Sequence, residues 1–267
     1  MATTNKTPAK KETVLTGEIL VKPGRSRGRP SGVGSRLLDR GTIVALALQL
    51  TKSVPLSELS IVRMAREMGV TPALIHYYLG EGNDGARGTL TSGVMNAFYR
   101  EMVEQWPQAA DDWQHSLEVI AHAVYRIYLR YPGVAMYLAT HNRYMVVQDV
   151  REGETDYGLL HFENYMAAVR RAGFNAERTG IYTHLLAMFV ASSAHATVTH
   201  RWPGQHSKFL MEKLSALDEA EFPATHYVLD GFAHMNAAEA FAIGLGLWIQ
   251  SLALERDKMM ARVGALP

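Results

Sequence analysis

The fold of this chain is decided by the segment Leu59-Ser-Ile-Val-Arg-Met-Ala-Arg-Glu-Met-Gly-Val-Thr-Pro-Ala-Leu-Ile-His-Tyr-Tyr-Leu79, which has the pattern of two short helices joined by a tight turn. Counting from Ile61, the residues predicted to form the buried sides of both helices are Met64, Met68, Val70, Ile75 and Tyr78. Ala65 is small enough to let the helices approach, and Gly69 permits the backbone conformation of the turn. The pattern predicts a helix-turn-helix, a motif whose second helix enters the major groove of DNA.

The residues around this segment predict the helix starts and a third helix. Ser60 precedes the first motif helix and Thr71 the second, and both residue types are good N-caps. Pro72 then occupies the favoured first position of the second helix. Between residues 35 and 52 the apolar side chains recur at helical spacing, which predicts a helix that packs on the motif. Together the three helices predict an N-terminal domain at residues 34–88.

Length and composition predict a second, larger helical unit after the motif. The chain has 267 residues, of which 48% are hydrophobic, and this is enough to bury a sizeable core without covalent staples. A glycine-rich loop at residues 80–88 leads into segments that show helical periodicity only. The predicted helices span residues 89–106, 113–130, 133–146, 156–172, 176–201, 207–218 and 236–261. Since no alternating strand pattern occurs, the predicted class is all-α, with residues 89–267 as the second domain.

The composition also excludes several classes of function. No cysteine is present, which rules out disulfides, thiolate metal sites and cysteine nucleophiles. His184, His195 and His200 share a predicted helix but lack the i, i+4 spacing of metal ligands, and the body has no dense cluster of acids and histidines. We therefore expect no metal, no cofactor and no enzyme activity. The longest apolar runs, such as residues 185–191, are too short to cross a bilayer, and the polar N-terminus lacks a secretory signal. A cytoplasmic protein without membrane contact is expected.

The N-terminal stretch is basic and carries a second candidate DNA-binding feature. Residues 1–40 contain nine Lys or Arg against three acidic residues, although the whole chain has a net charge of only +1. Residues 1–33 show no sustained apolar periodicity, which predicts a flexible arm. Within this arm, Arg27-Gly28-Arg29-Pro30 resembles the core of an AT-hook, whose arginines lie in the narrow minor groove of A·T-rich DNA. A merely solvated basic tail is the alternative interpretation.

The helix-turn-helix with its aromatic ending His76-Tyr-Tyr-Leu79, a linking helix and a longer helical body together resemble the tetracycline-repressor (TetR-type) family of bacterial transcription regulators. The resemblance covers residues 35–260. Within this range it includes Phe222-Pro223 and residues 241–248 near the end of the chain. It implies a homodimer that binds double-stranded DNA at a palindromic operator. It further implies a pocket in the body for a small-molecule effector, whose binding releases the operator, so a repressor is expected.

The resemblance implies a DNA-contacting surface on and around the second motif helix. The residues predicted to contact DNA are Arg25, Arg27, Arg29, Ser60, Thr71, Pro72, Ala73, His76, Tyr77 and Arg87. This chain departs from the family pattern at Gly80-Glu81-Gly82, where a Pro-Ser-Lys-like turn with a phosphate-binding lysine is common. The second motif helix also lacks Arg, Lys, Asn and Gln, the strongest base-reading side chains. Much of the DNA affinity is therefore expected from the arm.

The resemblance also implies that the helices of the body enclose the effector pocket and form the dimer contact. The residues predicted to line the pocket are Tyr125, Tyr128, Tyr137, His141, Tyr144, Phe162, Tyr165, Met166, His184 and Met188. Apolar side chains with a few hydroxyl or imidazole tips suit a small, mainly hydrophobic effector, although the same residues also fit an ordinary core. The residues predicted at the dimer interface are Phe189, His195, Thr199, Trp248 and Leu252, with an intrachain helix pair as the alternative.

The function predicted from these features is a ligand-responsive, dimeric, DNA-binding repressor. An architectural protein that binds A·T-rich DNA through the arm is the main alternative, and it predicts an A·T preference without a palindrome. An all-α enzyme is a further alternative. It would require a cluster of catalytic acids and histidines in the body, which the sequence does not contain.

Overall fold

The computed structural model describes residues 38–80, 85–108, 110–140 and 150–264, with side chains described up to residue 261. These residues form helices and connecting loops without a β-strand, which confirms the all-α class. The predicted arm, with Arg25, Arg27 and Arg29, lies outside the described residues. So do His141 and Tyr144 of the predicted pocket.

The N-terminal part contains the predicted helix-turn-helix. Its helices are α1 (Arg40–Leu50), α2 (Ile61–Met68) and α3 (Pro72–Leu79), with a short 3-10 helix at Leu56–Glu58 before α2. The Ser60 hydroxyl accepts a hydrogen bond from the Arg63 amide at 3.1 Å, and the Thr71 hydroxyl accepts one from the Leu74 amide at 3.4 Å. Both predicted N-caps are therefore present. Gly69 closes α2 at φ +65°, a backbone conformation that favours glycine.

The core of the motif follows the predicted pattern. Met64, Ala65 and Ile75 are at most 2% exposed. Met68, Val70 and Tyr78 are half-buried and pack against this core. The two motif helices are thus held by the side chains that their periodicity indicates.

The body is formed by eight further α-helices among the described residues. They are α4 (Gly85–Glu104), α5 (Trp113–Arg130), α6 (Pro132–Thr140), α7 (Tyr157–Arg170), α8 (Ala176–Val198), α9 (Ser207–Leu214), α10 (Pro223–Ala233) and α11 (Ala237–Gly264). Helix α10 was not predicted from the sequence, because only Leu229 and Ala233 are buried along it and its periodicity is weak. Helix α4 begins earlier than predicted, since Ala86 in the glycine-rich stretch is buried against the core.

Two helices of the body contact the N-terminal helical part directly. Helix α4 packs on α1 and α3 on one side and on α5 and α7 on the other, so the predicted domain boundary at residues 88 and 89 falls inside it. At the start of α6 the Gly133 amide donates a hydrogen bond to the Thr51 carbonyl at 2.8 Å. A Cβ at Gly133 would lie 2.0 Å from the Val54 carbonyl oxygen, so this close approach requires glycine. One continuous hydrophobic core links the motif to the body.

Candidate nucleic-acid and ligand sites

The outer surface of α3 carries the predicted DNA-contacting side chains. Thr71, Pro72, Ala73, His76 and Tyr77 are all exposed, and Tyr77 is 78% exposed although it is a large aromatic side chain. Ile75, in the same helix, is fully buried. The helix therefore presents small, hydroxyl-bearing and aromatic groups to solvent while its other side anchors it in the core.

Two other predicted DNA-contacting residues, Ser60 and Arg87, form hydrogen bonds within the chain. The Ser60 hydroxyl caps α2 through the Arg63 amide. The guanidinium of Arg87 donates a hydrogen bond to the Ser57 carbonyl at 2.6 Å and so joins the first turn of α4 to the 3-10 helix before α2. Arg87 remains exposed, and its predicted contact with DNA stays a prediction.

A strap, defined here as residues 150–157 between α6 and α7, ties the motif to the body. Its Arg151 guanidinium donates a hydrogen bond to the carbonyl of Leu79, the last residue of α3. Its Glu154 carboxylate forms an ion pair with Arg40 at the start of α1, whose side chain is 17% exposed. The strap thus holds both ends of the helix-turn-helix domain.

The strap is also fixed to α4 by the side chain of Asn96. Its Nδ2 donates to the Thr155 carbonyl at 3.0 Å, and its Oδ1 accepts from the Tyr157 amide at 2.8 Å. Tyr157 is the first residue of α7. A small cavity of about 210 Å³ lies between α1, α4 and the strap, and Arg40, Asn96 and Tyr157 are among the residues that line it. Asn96 therefore joins α4 and the start of α7 to the strap, which in turn contacts the end of α3.

Four rings on α4, on the segment that follows it and on α7 meet in the body and form what we call the aromatic site: Tyr99, Trp106, His161 and Tyr165. The His161 ring stacks on Tyr99 with centroids 5.2 Å apart and meets Tyr165 at 5.2 Å. Trp106 meets the edges of His161 at 5.7 Å and of Tyr165 at 5.5 Å. Tyr99, His161 and Tyr165 are buried, whereas Trp106, just after the last residue of α4, is half-buried.

The aromatic site contains two buried polar atoms without a hydrogen bond. Among the described residues, neither His161 Nδ1 nor the Tyr165 hydroxyl has a partner. Burial lowers the pKa of His161 to about 4, so its imidazole is neutral at physiological pH. Burial also raises the pKa of Tyr165, with a further contribution from Tyr128, and raises the pKa of Tyr128 to about 12. The site is therefore uncharged.

The other predicted pocket residues are distributed over four places. Tyr125 is buried, donates to or accepts from the Thr197 hydroxyl at 2.9 Å, and stacks on Phe241 at 4.0 Å. Phe162 and Met166 instead line a groove of about 640 Å³ between α7 and α8, together with Glu163 and Arg170. Tyr137 is half-buried against the core. His184 and Met188 lie on the exposed side of α8. The predicted set is thus not one cavity.

The predicted dimer residues lie mostly within contacts of the single chain. Phe189 on α8 stacks on Phe241 of α11 with centroids 5.5 Å apart. Leu252 is 4% exposed and belongs to the core, so its contact is the intrachain alternative and not a surface contact. Trp248 is half-buried against the same core, and His195 and Thr199 near the end of α8 are also half-buried. The large exposed apolar side chains of these two helices are Ile181, Leu185, Met188, Ile243, Leu247, Leu254 and Met260.

Two stretches of the described chain, Ala176–Leu214 and Ala237–Ala261, are long and apolar enough to cross a membrane by length and composition. Both include helices that pack in the core, through Leu186 and Val190 of α8 and through Leu245 and Ile249 of α11. Only 28% and 22% of the most apolar window of each stretch is buried in the single chain, so the core accounts for part of this apolar character. Within the described residues, no group of three or more His, Asp or Glu could hold a metal ion.

Sequence reasoning did not identify Tyr99, Trp106 or His161 as site residues, and it did not identify the strap. His161 and Tyr165 are four residues apart, which places them on one side of α7, and this spacing was the available signal. Nothing local indicated that this side faces Tyr99 and Trp106. Arg151 likewise lies 72 positions from the Leu79 carbonyl that it contacts.

Comparison with known proteins gives both a family match and a fold match. The model of a family described as "Tetracyclin repressor-like, C-terminal domain" matches residues 106–255, more than half of the chain. No curated protein sequence matches this chain.

Several solved structures share the fold. Apo ActR from Streptomyces coelicolor is similar with a TM-score of 0.67 and 21% identity, over 83% of this chain and 98% of that chain. SCO7222, a TetR from Streptomyces coelicolor, gives 0.62 and 20%, over 80% and 97%. A single-substitution variant of TetR from Acinetobacter baumannii AYE, in complex with minocycline, gives 0.52 and 19%, over 82% and 98%. At these identities the similarity shows a common fold.

Proposed function

Since the chain belongs to the tetracycline-repressor family of transcription regulators, we propose that it is a repressor that binds a palindromic operator as a homodimer and leaves it when a small, mainly hydrophobic effector binds the body. The observation that carries this proposal is the outer surface of α3, which exposes the predicted DNA-contacting side chains while Ile75 anchors the helix. Members of this family are regulators and not enzymes.

The roles of the α3 residues follow from their chemistry. The Thr71 and Tyr77 hydroxyls suit phosphate oxygens, whereas Pro72 and Ala73 suit the methyl group of thymine. His76 adds one ring nitrogen for a base edge or a phosphate. Because these side chains carry no fixed positive charge, we assign much of the affinity to Arg25, Arg27 and Arg29 of the arm.

The exposed apolar residues of α8 and α11 support a homodimer. Ile181, Leu185 and Met188 recur at helical spacing on α8, and Ile243 and Leu247 are one turn apart on α11. In a dimer with two-fold symmetry, α8 and α11 of one copy would pack against α8 and α11 of the other. The contact would then consist of four helices. Half-sites of a palindrome require this symmetry. A cytoplasmic location follows from this function.

Helix α4 and the strap provide the coupling between effector and DNA. An effector that binds the body better in one arrangement shifts the population toward that arrangement. Displacement of α7 would move Tyr157 and the strap. It would therefore also move Arg151, which donates a hydrogen bond to the last residue of α3. The spacing of the two recognition helices in the dimer would then no longer match the operator.

Two of the structural neighbours support a small-molecule effector. ActR has a structure in complex with actinorhodin, at a TM-score of 0.65 and 21% identity. The TetR variant from Acinetobacter baumannii AYE has one in complex with minocycline. For this chain we propose a small, mainly hydrophobic effector, because the body presents tyrosines, an uncharged histidine and apolar side chains.

The proposal is tested by fluorescence anisotropy with DNA from the region upstream of the protein's own gene at low salt. The full chain is expected to bind a site with two-fold symmetry, and Tyr77→Ala is expected to weaken binding about tenfold through loss of one contact. Leu159→Ala, at an exposed position on α7, is the matched control and should bind like the parent. Absence of binding by the parent would overturn the proposal.

Deletion of residues 1–32 separates the proposal from the architectural alternative. A regulator that reads its site with α3 keeps the same site, with weaker binding and a smaller dependence on salt. An architectural protein that acts through Arg27 and Arg29 loses binding altogether. The second result would replace the first proposal with the alternative.

A further inference from the structure

The aromatic site holds an unusual combination of full burial and unused hydrogen-bonding groups. His161 is 8% exposed and Tyr165 is 4% exposed, yet His161 Nδ1 and the Tyr165 hydroxyl have no partner among the described residues. A buried polar atom without a partner destabilises the fold, because its hydrogen bond to water is lost without replacement. Other buried tyrosines of the body do not share this state, since the Tyr125 hydroxyl is paired with Thr197.

The two polar atoms are surrounded by flat rings. Tyr99 stacks on His161, and Trp106 meets both His161 and Tyr165 edge-on. Such rings bind another aromatic system by stacking and edge contacts. Trp106 is the only half-buried ring of the four, so a ligand that reached the polar atoms from this side would have to displace it.

The charge of the site restricts the ligand further. Neither His161 nor Tyr165 is ionised at physiological pH, because burial lowers the pKa of His161 to about 4 and raises the pKa of Tyr165. Burying a charged ligand group there without a counter-charge would be strongly unfavourable. A tyrosine hydroxyl donates to a carbonyl or ether oxygen, and a neutral imidazole nitrogen donates or accepts according to its tautomer.

We propose that His161 and Tyr165 are the polar anchor of the effector site, and that the effector is a flat, uncharged aromatic molecule with a hydrogen-bond acceptor such as a carbonyl at its edge. This inference rests on the proposed function, in that it identifies the effector class of the same regulator. The ligand would insert its ring beside Tyr99 and place its carbonyl oxygen on the Tyr165 hydroxyl. Helix α7, which carries both anchors, begins at the strap and so transmits the binding to α3.

The test uses 2-acetonaphthone as the probe and 2-ethylnaphthalene as the matched molecule without the carbonyl, with binding measured by calorimetry on the full chain. The parent is expected to bind 2-acetonaphthone at one site per chain. Tyr165→Phe is expected to bind 2-acetonaphthone about tenfold more weakly than the parent does. The variant and the parent should bind 2-ethylnaphthalene with the same affinity. Without ligand, the same variant should melt about 3 °C higher, because an unpaired buried hydroxyl is removed.

Tyr131→Phe is the control, because it removes a buried hydroxyl that already donates a hydrogen bond to the Glu101 carboxylate. It should leave the affinity for 2-acetonaphthone unchanged and lower the Tm. The inference is overturned if the parent does not bind 2-acetonaphthone, or if Tyr165→Phe binds it as well as the parent. It is also overturned if Tyr165→Phe lowers the Tm, since the hydroxyl would then have a structural role.

Operator binding of the same proteins is measured in parallel, so that the two proposals fail separately. If the parent binds the operator but not 2-acetonaphthone, the effector assignment is wrong and the proposal of a DNA-binding regulator stands. Binding of 2-acetonaphthone without any operator binding removes the regulator and leaves a ligand site at His161 and Tyr165.

Discussion

His161 is the residue whose chemistry depends most on the tertiary structure. On an exposed helix surface it would titrate near its ordinary pKa of 6.5, but here burial lowers the pKa to about 4. Between these two values the unfolded chain binds a proton that the folded chain does not bind. The free energy of unfolding therefore falls as the pH falls from 6.5 toward 4, and the contribution is complete only above the unfolded pKa.

We expect His161→Phe to be less sensitive to acid than the parent. Between pH 7 and pH 4.5 the parent should lose about 2 to 3 kcal/mol of unfolding free energy through His161, and the variant should lack this loss. Urea unfolding at both pH values measures the difference. His115→Phe, at an exposed position on α5, is the control and should retain the His161 contribution. Equal acid sensitivity of parent and His161→Phe would contradict the burial argument.

At the scale of elements, the strap is the contact that most directly reaches the recognition helix. The last carbonyls of a helix have no partner within the helix, and the Leu79 carbonyl at the end of α3 is one of these groups. The Arg151 guanidinium satisfies it and places a positive charge where the helix dipole is negative. The strap therefore stabilises α3 from outside the motif.

Arg151→Ala should loosen the last turn of α3 without unfolding the body. Hydrogen exchange of the amides at residues 76–80 is expected to accelerate about tenfold, because one hydrogen bond to a charged group is lost. Lys258→Ala removes an exposed ion pair with Glu255 on α11 and should leave this exchange unchanged. Unchanged exchange in Arg151→Ala would show that the strap does not restrain α3.

At the scale of the whole molecule, several large apolar side chains of α8 and α11 remain exposed in the single chain. Ile243 and Leu247 are 58% and 61% exposed, and Leu185 and Met188 are 48% and 52% exposed. Contiguous exposed apolar patches mark interaction sites, whereas apolar residues scattered singly over a surface are normal. A dimer contact would cover it, and the same contact would set the spacing of the two copies of α3.

Leu247→Glu is expected to convert the dimer into a monomer, since two carboxylates would be placed in an apolar contact across the two-fold axis. Light scattering after size exclusion would show about half the parent's mass, with an unchanged helix content by circular dichroism. Leu159→Glu places the same charge on an exposed position of α7 and should keep the parent's mass. A dimeric Leu247→Glu would exclude this surface as the interface.

The parts predicted correctly from the sequence are those that depend on near neighbours. The N-caps Ser60 and Thr71 and the left-handed Gly69 each act within a few residues, and α5 spans the predicted residues Trp113–Arg130. Helix α10 and the start of α4 were missed, because their few buried residues give little periodicity.

The sequence by itself determined the helix-turn-helix and the all-α class, and it indicated that Ile75 lies on the buried side of α3, since periodicity, caps and turn residues are local properties. Only the tertiary structure decided that Leu252 is core, that Phe162 and Tyr165 face different places, and that Arg151 reaches the end of α3. Helical spacing shows which residues share a side of a helix, but the side that becomes buried depends on which distant helix packs against it.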